Sequence, residues 1–160
     1  MEKAERAIDR TPRFDVQAVL ERTPGISHVQ KIALNESFFQ WLAEHCDPSL
    51  HEDIKKNYEA LDAFSFQYFS DGLSIAGFLW APKHINEQIP LVVWNRGGTG
   101  LYGSIGDKVG LYYSGIPCEI AKSGAVVVAS QYRGGSGSEG GDERGGADLR
   151  DVARIREIAS

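Results

Sequence analysis

The chain has 160 residues, 42% of them hydrophobic and 24% charged, with a net charge of -5 at neutral pH. That composition suits one ordinary globular core, and an acidic balance without a Lys/Arg cluster argues against a nucleic-acid footprint. No apolar run reaches the ~20 residues needed to cross a bilayer, and residues 1–10 lack the apolar middle of a signal peptide, so a cytoplasmic location is expected.

The first sixty residues read as helices. Asp15 can cap a short helix carrying Val16, Val19 and Leu20. Ser37 precedes a second, in which Phe38, Trp41, Leu42 and Cys46 share a face. Ser49-Leu50-His51-Glu52 has the form of a capping box ahead of Ile54, Tyr58 and Leu61. Cys46 and Cys118 fit no metal or redox spacing and are expected to be reduced and structural. His45 and His51 flank Cys46-Asp47-Pro48, which reads as an interhelix loop rather than a metal site. No metal or cofactor is implied.

The period then switches to two. Phe64, Phe66 and Tyr68 alternate with Ser65 and Gln67, Ser70-Asp71-Gly72 supplies a turn, and Leu73, Ile75 and Leu79 answer on one side. Two strands so close together should pair as an antiparallel hairpin closed by Pro82. Residues 89–95, IPLVVWN, form a continuous apolar run, expected as a strand buried on both faces of a largely parallel sheet. A short helix around Pro117–Lys122 ends on Gly124, a second apolar strand covers Ala125–Gln131, and a last helix carries the stripe Leu149, Val152, Ile155 and Ile158. The fold class is α/β: an antiparallel hairpin, then parallel strands with flanking helices, after a helical N-terminal extension over residues 1–62.

Fifteen of the 18 glycines lie at or after Gly97. Gly98-Thr99-Gly100-Leu101-Tyr102-Gly103 matches the G-x-G-x-x-G pattern of dinucleotide loops. That reading needs the glycines to open a helix, yet Gly106, Gly110 and Gly115 follow, each costing about 1 kcal/mol in a helix relative to alanine. The next strand closes with Gln131-Tyr132-Arg133 where an acidic residue is wanted, and Gly135–Gly140 matches the same pattern again. Nucleotide binding fits less of the chain.

The alternative is the oxyanion loop of an α/β-hydrolase, where backbone N–H groups after the third strand meet the charge that develops on an attacked carbonyl oxygen. A missing donor costs about 3–4 kcal/mol in the barrier, and glycine lets the main chain come close to a substrate.

Four ordered segments resemble the catalytic domain of the prolyl oligopeptidase family of serine peptidases. Residues 70–82 (SDGLSIAGFLWAP) are similar to its hairpin, and residues 89–100 (IPLVVWNRGGTG) to its third strand and His-Gly-Gly-Pro segment. Residues 124–140 (GAVVVASQYRGGSGSEG) are similar to its fourth strand and Tyr-Arg-Gly turn, and residues 145–152 (GGADLRDV) to the start of the next helix. The resemblance covers residues 63–160, the hydrolase-like unit, and implies hydrolysis of peptides or esters through an acyl-enzyme in full-length relatives. Gly97 and Gly98 carry over as oxyanion-loop glycines. Arg96 stands where the family has histidine, and either binding of a carboxylate or oxyanion or a structural ion pair would suit a guanidinium. Tyr102 lies near the loop, and no role is assigned to it. Arg133 is expected to pair with Asp142, Glu143 or Asp148, while Asp148 and Asp151 suit the first turn of the last helix.

No Gly-x-Ser-x-Gly elbow occurs in the sequence; Gly134-Gly135-Ser136-Gly137-Ser138 comes nearest. Ser136 and Ser138 are therefore expected as loop residues, and no histidine stands in the C-terminal position the family requires. The chain is expected to hold the oxyanion loop without the catalytic triad, to be truncated before the elbow and inactive alone, and to leave the Leu91–Asn95 strand as a bare sheet edge. That edge could receive the missing half or a partner chain, so a non-catalytic interaction module stays open as the alternative.

Overall fold

The computed structural model describes residues 14–85, 88–98, 104–105 and 115–160. In chain order the elements are α1 (Val16–Arg22), β1 (Ile26–Lys31), α2 (Glu36–His45), α3 (Pro48–Ala60), β2 (Leu61–Ser70), β3 (Leu73–Pro82), β4 (Leu91–Val93), α4 (Gly115–Lys122), β5 (Val126–Ser130) and α5 (Asp148–Ala159).

The strands form one sheet in the order β1-β2-β3-β5-β4. β2 and β3 are the expected hairpin, paired antiparallel from Ser70↔Leu73 out to Leu61↔Pro82. Asp71 and Gly72 connect them, both at positive φ (52° and 79°). A two-residue turn of that hand matches the right-handed twist of the strands it joins. β3 also pairs antiparallel with β5, and β4 runs parallel to β5. The parallel pair is joined through α4, which ends at Lys122 with the expected Gly124 (φ +104°) just beyond it.

Side chains alternate between two buried faces. On one, Phe64, Phe66, Tyr68, Ile75, Leu79 and Val128 meet Val16 and Leu20 of α1 and Ile155 of α5. Burying each large apolar side chain of this kind stabilises the fold by roughly 1.5–3 kcal/mol. On the other face, Ala63, Phe78, Trp80, Val127 and Ala129 pack under Cys118 and Ala121 of α4, with Tyr58 of α3 beside them. Phe38, Leu42 and Ile54 form a smaller cluster between α2 and α3.

Five details depart from the sequence expectations. The N-terminal region is not wholly helical, because β1 lies within it and pairs with β2, with an irregularity between Ser27 and Gln30. The cap of α2 is Asn35, whose side chain accepts from Phe38 N–H, rather than Ser37. The cap of α3 is Asp47, with Pro48 in the first turn, rather than Ser49. β4 is only half-buried, since its one neighbour among the described strands is β5. In α5, Leu149 points outward (62% exposed) while Asp148 and Asp151 are buried with Ile155.

Candidate functional site

The site lies where β4 and β5 end side by side. The ladder continues past β4 to Trp94, whose N–H donates to Val128 O at 2.8 Å. The chain then turns Arg96 inward, to 5% exposure, and leaves Gly97 and Gly98 at the surface. Arg96 Nε donates to Gln131 O at 3.0 Å, tying this loop to the end of β5. Its Nη1 makes two longer bonds of 3.4 Å, one to Gly97 O and one to Gly98 O. The guanidinium carbon stands 4.8 Å from the centre of the Tyr132 ring, within cation–π range. Burial pulls the Arg96 guanidinium below its usual range, against the neighbouring Tyr132, Asp142 and Asp148.

Gly98 has φ +85°, a backbone region that L side chains rarely adopt. At Gly97 a Cβ would meet no atom of the described residues within 4 Å. The glycines thus serve different needs: Gly98 makes the turn, and Gly97 leaves space among the described residues where a Cβ would stand. Tyr102, Gly100, Gly103, Gly106 and Gly110 lie outside the described residues. The described helix after β4 is α4, beginning at Gly115 rather than at the dinucleotide-like pattern.

The end of β5 is built from polar groups whose partners no local sequence pattern reveals. Gln131 is fully buried; its Oε1 accepts from Ile105 N–H at 2.8 Å, and its own N–H donates to Ala76 O at 2.9 Å. Its Nε2 has no partner among the described residues. Tyr132 sits at φ +62°, a strained position for an aromatic residue. Its N–H donates to Ser130 Oγ at 3.0 Å. Its hydroxyl lies 3.4 Å from Arg96 O, and desolvation pushes the phenol up, opposed by Arg96.

Below Tyr132 the hydrogens can be assigned by counting. The Tyr68 hydroxyl donates its one proton to Asp151 O at 2.9 Å. It must therefore accept at 2.6 Å from Ser130 Oγ, whose lone pair takes the Tyr132 N–H. Burial raises the Tyr68 phenol well above its usual value, so it stays a neutral donor.

Arg133 corrects an expectation. It pairs with Asp151 (Nη2–Oδ1 2.8 Å) and Asp71 (Nη2–Oδ2 2.8 Å), not with Asp142, Glu143 or Asp148. Those three carboxylates serve nearby backbone instead. Asp142 accepts from Arg144 N–H, Glu143 from Ala147 N–H and Asp148 from Gly145 N–H. Ser136 and Ser138 are loop residues, and Ser138 Oγ accepts from Ala76 N–H at 3.0 Å. His45 bonds Trp41 O and His51 bonds Leu42 O, each near the α2–α3 connection. Among the described residues no group of three or more His, Cys, Asp or Glu could hold a metal ion. No described helix is long and apolar enough to cross a membrane.

No family model and no curated protein matches the chain. Among solved structures, esterase Est22 aligns with a TM-score of 0.50 at 15% identity, covering 94% of this chain and 47% of that one. Brefeldin A esterase, titled a bacterial homologue of human hormone sensitive lipase, aligns with a TM-score of 0.46 at 17% identity, covering 93% and 44%. The fold is that of the α/β-hydrolases, and the chain spans about half the length of these solved neighbours.

Proposed function

We propose that these residues are the front of a serine-hydrolase catalytic domain that cleaves peptides or esters through an acyl-enzyme. In this reading the loop Arg96-Gly97-Gly98 supplies part of the oxyanion hole, and the nucleophile, acid and histidine come from sequence outside these 160 residues. The observation that carries the reading is the Gly97-Gly98 turn at the C-terminal end of β4, beside β5 in a sheet of β2-β3-β5-β4 order. Ligands of open α/β sheets bind at the carboxyl ends of strands, and exposed N–H groups there suit an oxyanion. Membership of the prolyl oligopeptidase family belongs to the same proposal; the four ordered segments between Ser70 and Val152 support it. The division into a 1–62 addition and a 63–160 hydrolase unit, and a cytoplasmic location, which fractionation checks, are parts of the same proposal.

The test is fluorophosphonate labelling, with turnover of butyrate esters and aminoacyl-naphthylamides, on this chain and on the product of the whole reading frame. The chain alone should show neither label nor turnover. The whole product should carry the label on a Gly-x-Ser-x-Gly serine. A labelled serine within residues 1–160, or a reading frame that encodes no such elbow, sinks the proposal.

A second reading takes the chain as an interaction module. What favours it is β4, which ends the strand order with β5 as its one neighbour among the described strands. A partner strand added there would gain backbone hydrogen bonds directly.

A further inference from the structure

We propose that Arg96 is a positioning residue that sets the direction of the loop's N–H groups; the inference rests on the oxyanion reading above. The two carbonyls of Gly97 and Gly98 both turn toward Arg96 Nη1 at 3.4 Å. In a trans peptide the C=O and N–H point in opposite directions. With the Gly97 carbonyl drawn inward, the Gly98 N–H, which shares its peptide plane, faces away from the guanidinium, and Gly98 is exposed. The side chain therefore acts behind the loop and does not touch the reacting atoms.

Three features make a guanidinium suited to this task. Its fork can hold several acceptors at once, here Gln131 O through Nε and the two glycine carbonyls through Nη1. Its central carbon stands over the ring of Tyr132, whose own backbone is fixed through Ser130 and Tyr68. Its charge sits at the negative ends of the loop's peptide dipoles, which favours the alignment that presents their positive ends outward. A lysine has one compact ammonium and cannot span Gln131 O and both glycine carbonyls from one position. Histidine, the residue at this place in the resembling family, has two ring nitrogens for what are three contacts here among the described residues.

The experiment follows the Gly98 amide by NMR in ¹⁵N-labelled chain, comparing Arg96, Arg96→Lys and Arg96→Ala, the last with and without methylguanidinium. The Gly98 resonance should move in Arg96→Ala, return on adding methylguanidinium and stay displaced in Arg96→Lys. If Arg96→Ala does not fold, Arg96→Lys retains the stem and charge and decides the matter. A Gly98 resonance unchanged in the folded variants overturns the proposal.

In the product of the whole reading frame, Arg96→Lys should lower kcat on a butyrate ester by ~10²-fold with KM little changed, as for a misplaced transition-state donor. A change confined to KM counts against it. Absence of fluorophosphonate labelling in the unsubstituted product defeats the hydrolase reading instead, and the Gly98 measurement then still decides whether Arg96 orients the loop.

Discussion

Arg133 gives Asp151 three hydrogen bonds, from its main-chain N–H (2.8 Å), its Nε (3.1 Å) and its Nη2 (2.8 Å). Both side chains are buried, Asp151 completely. The pair fastens the turn after β5 to α5, and Asp71 ties the same guanidinium to the β2–β3 turn. Breaking a buried pair from one side leaves an uncompensated charge, at a cost of about 3–5 kcal/mol. Asp71 still faces the guanidinium when Asp151 is removed, so Asp151→Ala should lower stability by at most about that amount in urea titrations. The exposed pair Arg154–Glu157 (3.1 Å) supplies the contrast, since Glu157→Gln should change it by less than about 1 kcal/mol.

Acid should act through Asp71. The hydrogen bond from Arg133 holds its carboxyl below the usual range; desolvation opposes this, and the charges of Arg150 and Arg133 add to the lowering. A carboxylate with a depressed folded value contributes stability that is complete above its unfolded pKa of about 3.9. The contribution disappears as pH falls through the folded value. Asp71→Asn, which tolerates the left-handed backbone at this position (φ +52°), should make stability fall less steeply below about pH 4. Urea midpoints at several acid pH values measure this, and parallel curves would refute it.

Gly134→Ala should be among the most damaging single changes. Its φ is +72°, and a Cβ there would lie 2.3 Å from Asp142 N and 2.7 Å from Gly141 C, both backbone atoms. Gly124 also has positive φ (+104°) but open space around the missing Cβ. Gly124→Ala should cost about 1–2 kcal/mol of backbone strain, and Gly134→Ala about 1–3 kcal/mol more from the clash. Thermal melts of the two variants give the comparison.

Gly77 and Phe66 face each other across the hairpin. A Cβ on Gly77 would stand 2.5 Å from Phe66 Cε2, and the ring is buried. Gly77→Ala should cost about 1–3 kcal/mol by overpacking. In a Phe66→Leu background the same change should cost measurably less, giving a double-mutant coupling of at least about 0.5 kcal/mol. Additive effects would show that the ring moves aside freely.

β4 offers a test of the interaction reading. Pro90 O and Trp94 N both bond to β5, so the alternation of the ladder turns the Leu91 and Val93 N–H groups to the other side. Val93→Pro removes one of those donors while sparing the bonds to β5. If this edge pairs with another chain, sedimentation should show concentration-dependent association of the 160-residue chain that Val93→Pro suppresses. Equal association in both would place the contact elsewhere.

The hairpin was legible because Phe64, Phe66 and Tyr68 keep a strict period of two up to an Asp-Gly turn. Helix positions are legible too, and so is the Asp15 cap of α1, but the caps of α2 and α3 lie two residues before the expected ones. Asn35 and Ser37, like Asp47 and Ser49, are both cap-forming types, and Pro48 in the first turn was the signal favouring Asp47. β1 was hidden because its sequence is mostly polar and a left-handed His28 (φ +51°) interrupts its alternation. In α5 the apolar stripe pointed to Leu149, whereas the helix rotates to bring Asp151 onto Arg133, a partner no local pattern reveals. The candidate site divides likewise. Arg96, Gly97 and Gly98 stand out at the end of an apolar run, while Gln131, Tyr132 and Tyr68 acquire their partners only when distant segments meet.

The antiparallel pairing of β3 with β5 also bears on how the protein is made. Gly77 finds its partner Ser130 roughly fifty residues later in the chain. During synthesis the aromatic hairpin leaves the ribosome well before the strand that covers its free side. Throughout that interval the nascent polypeptide displays a sticky border, and a holdase chaperone would find its work there.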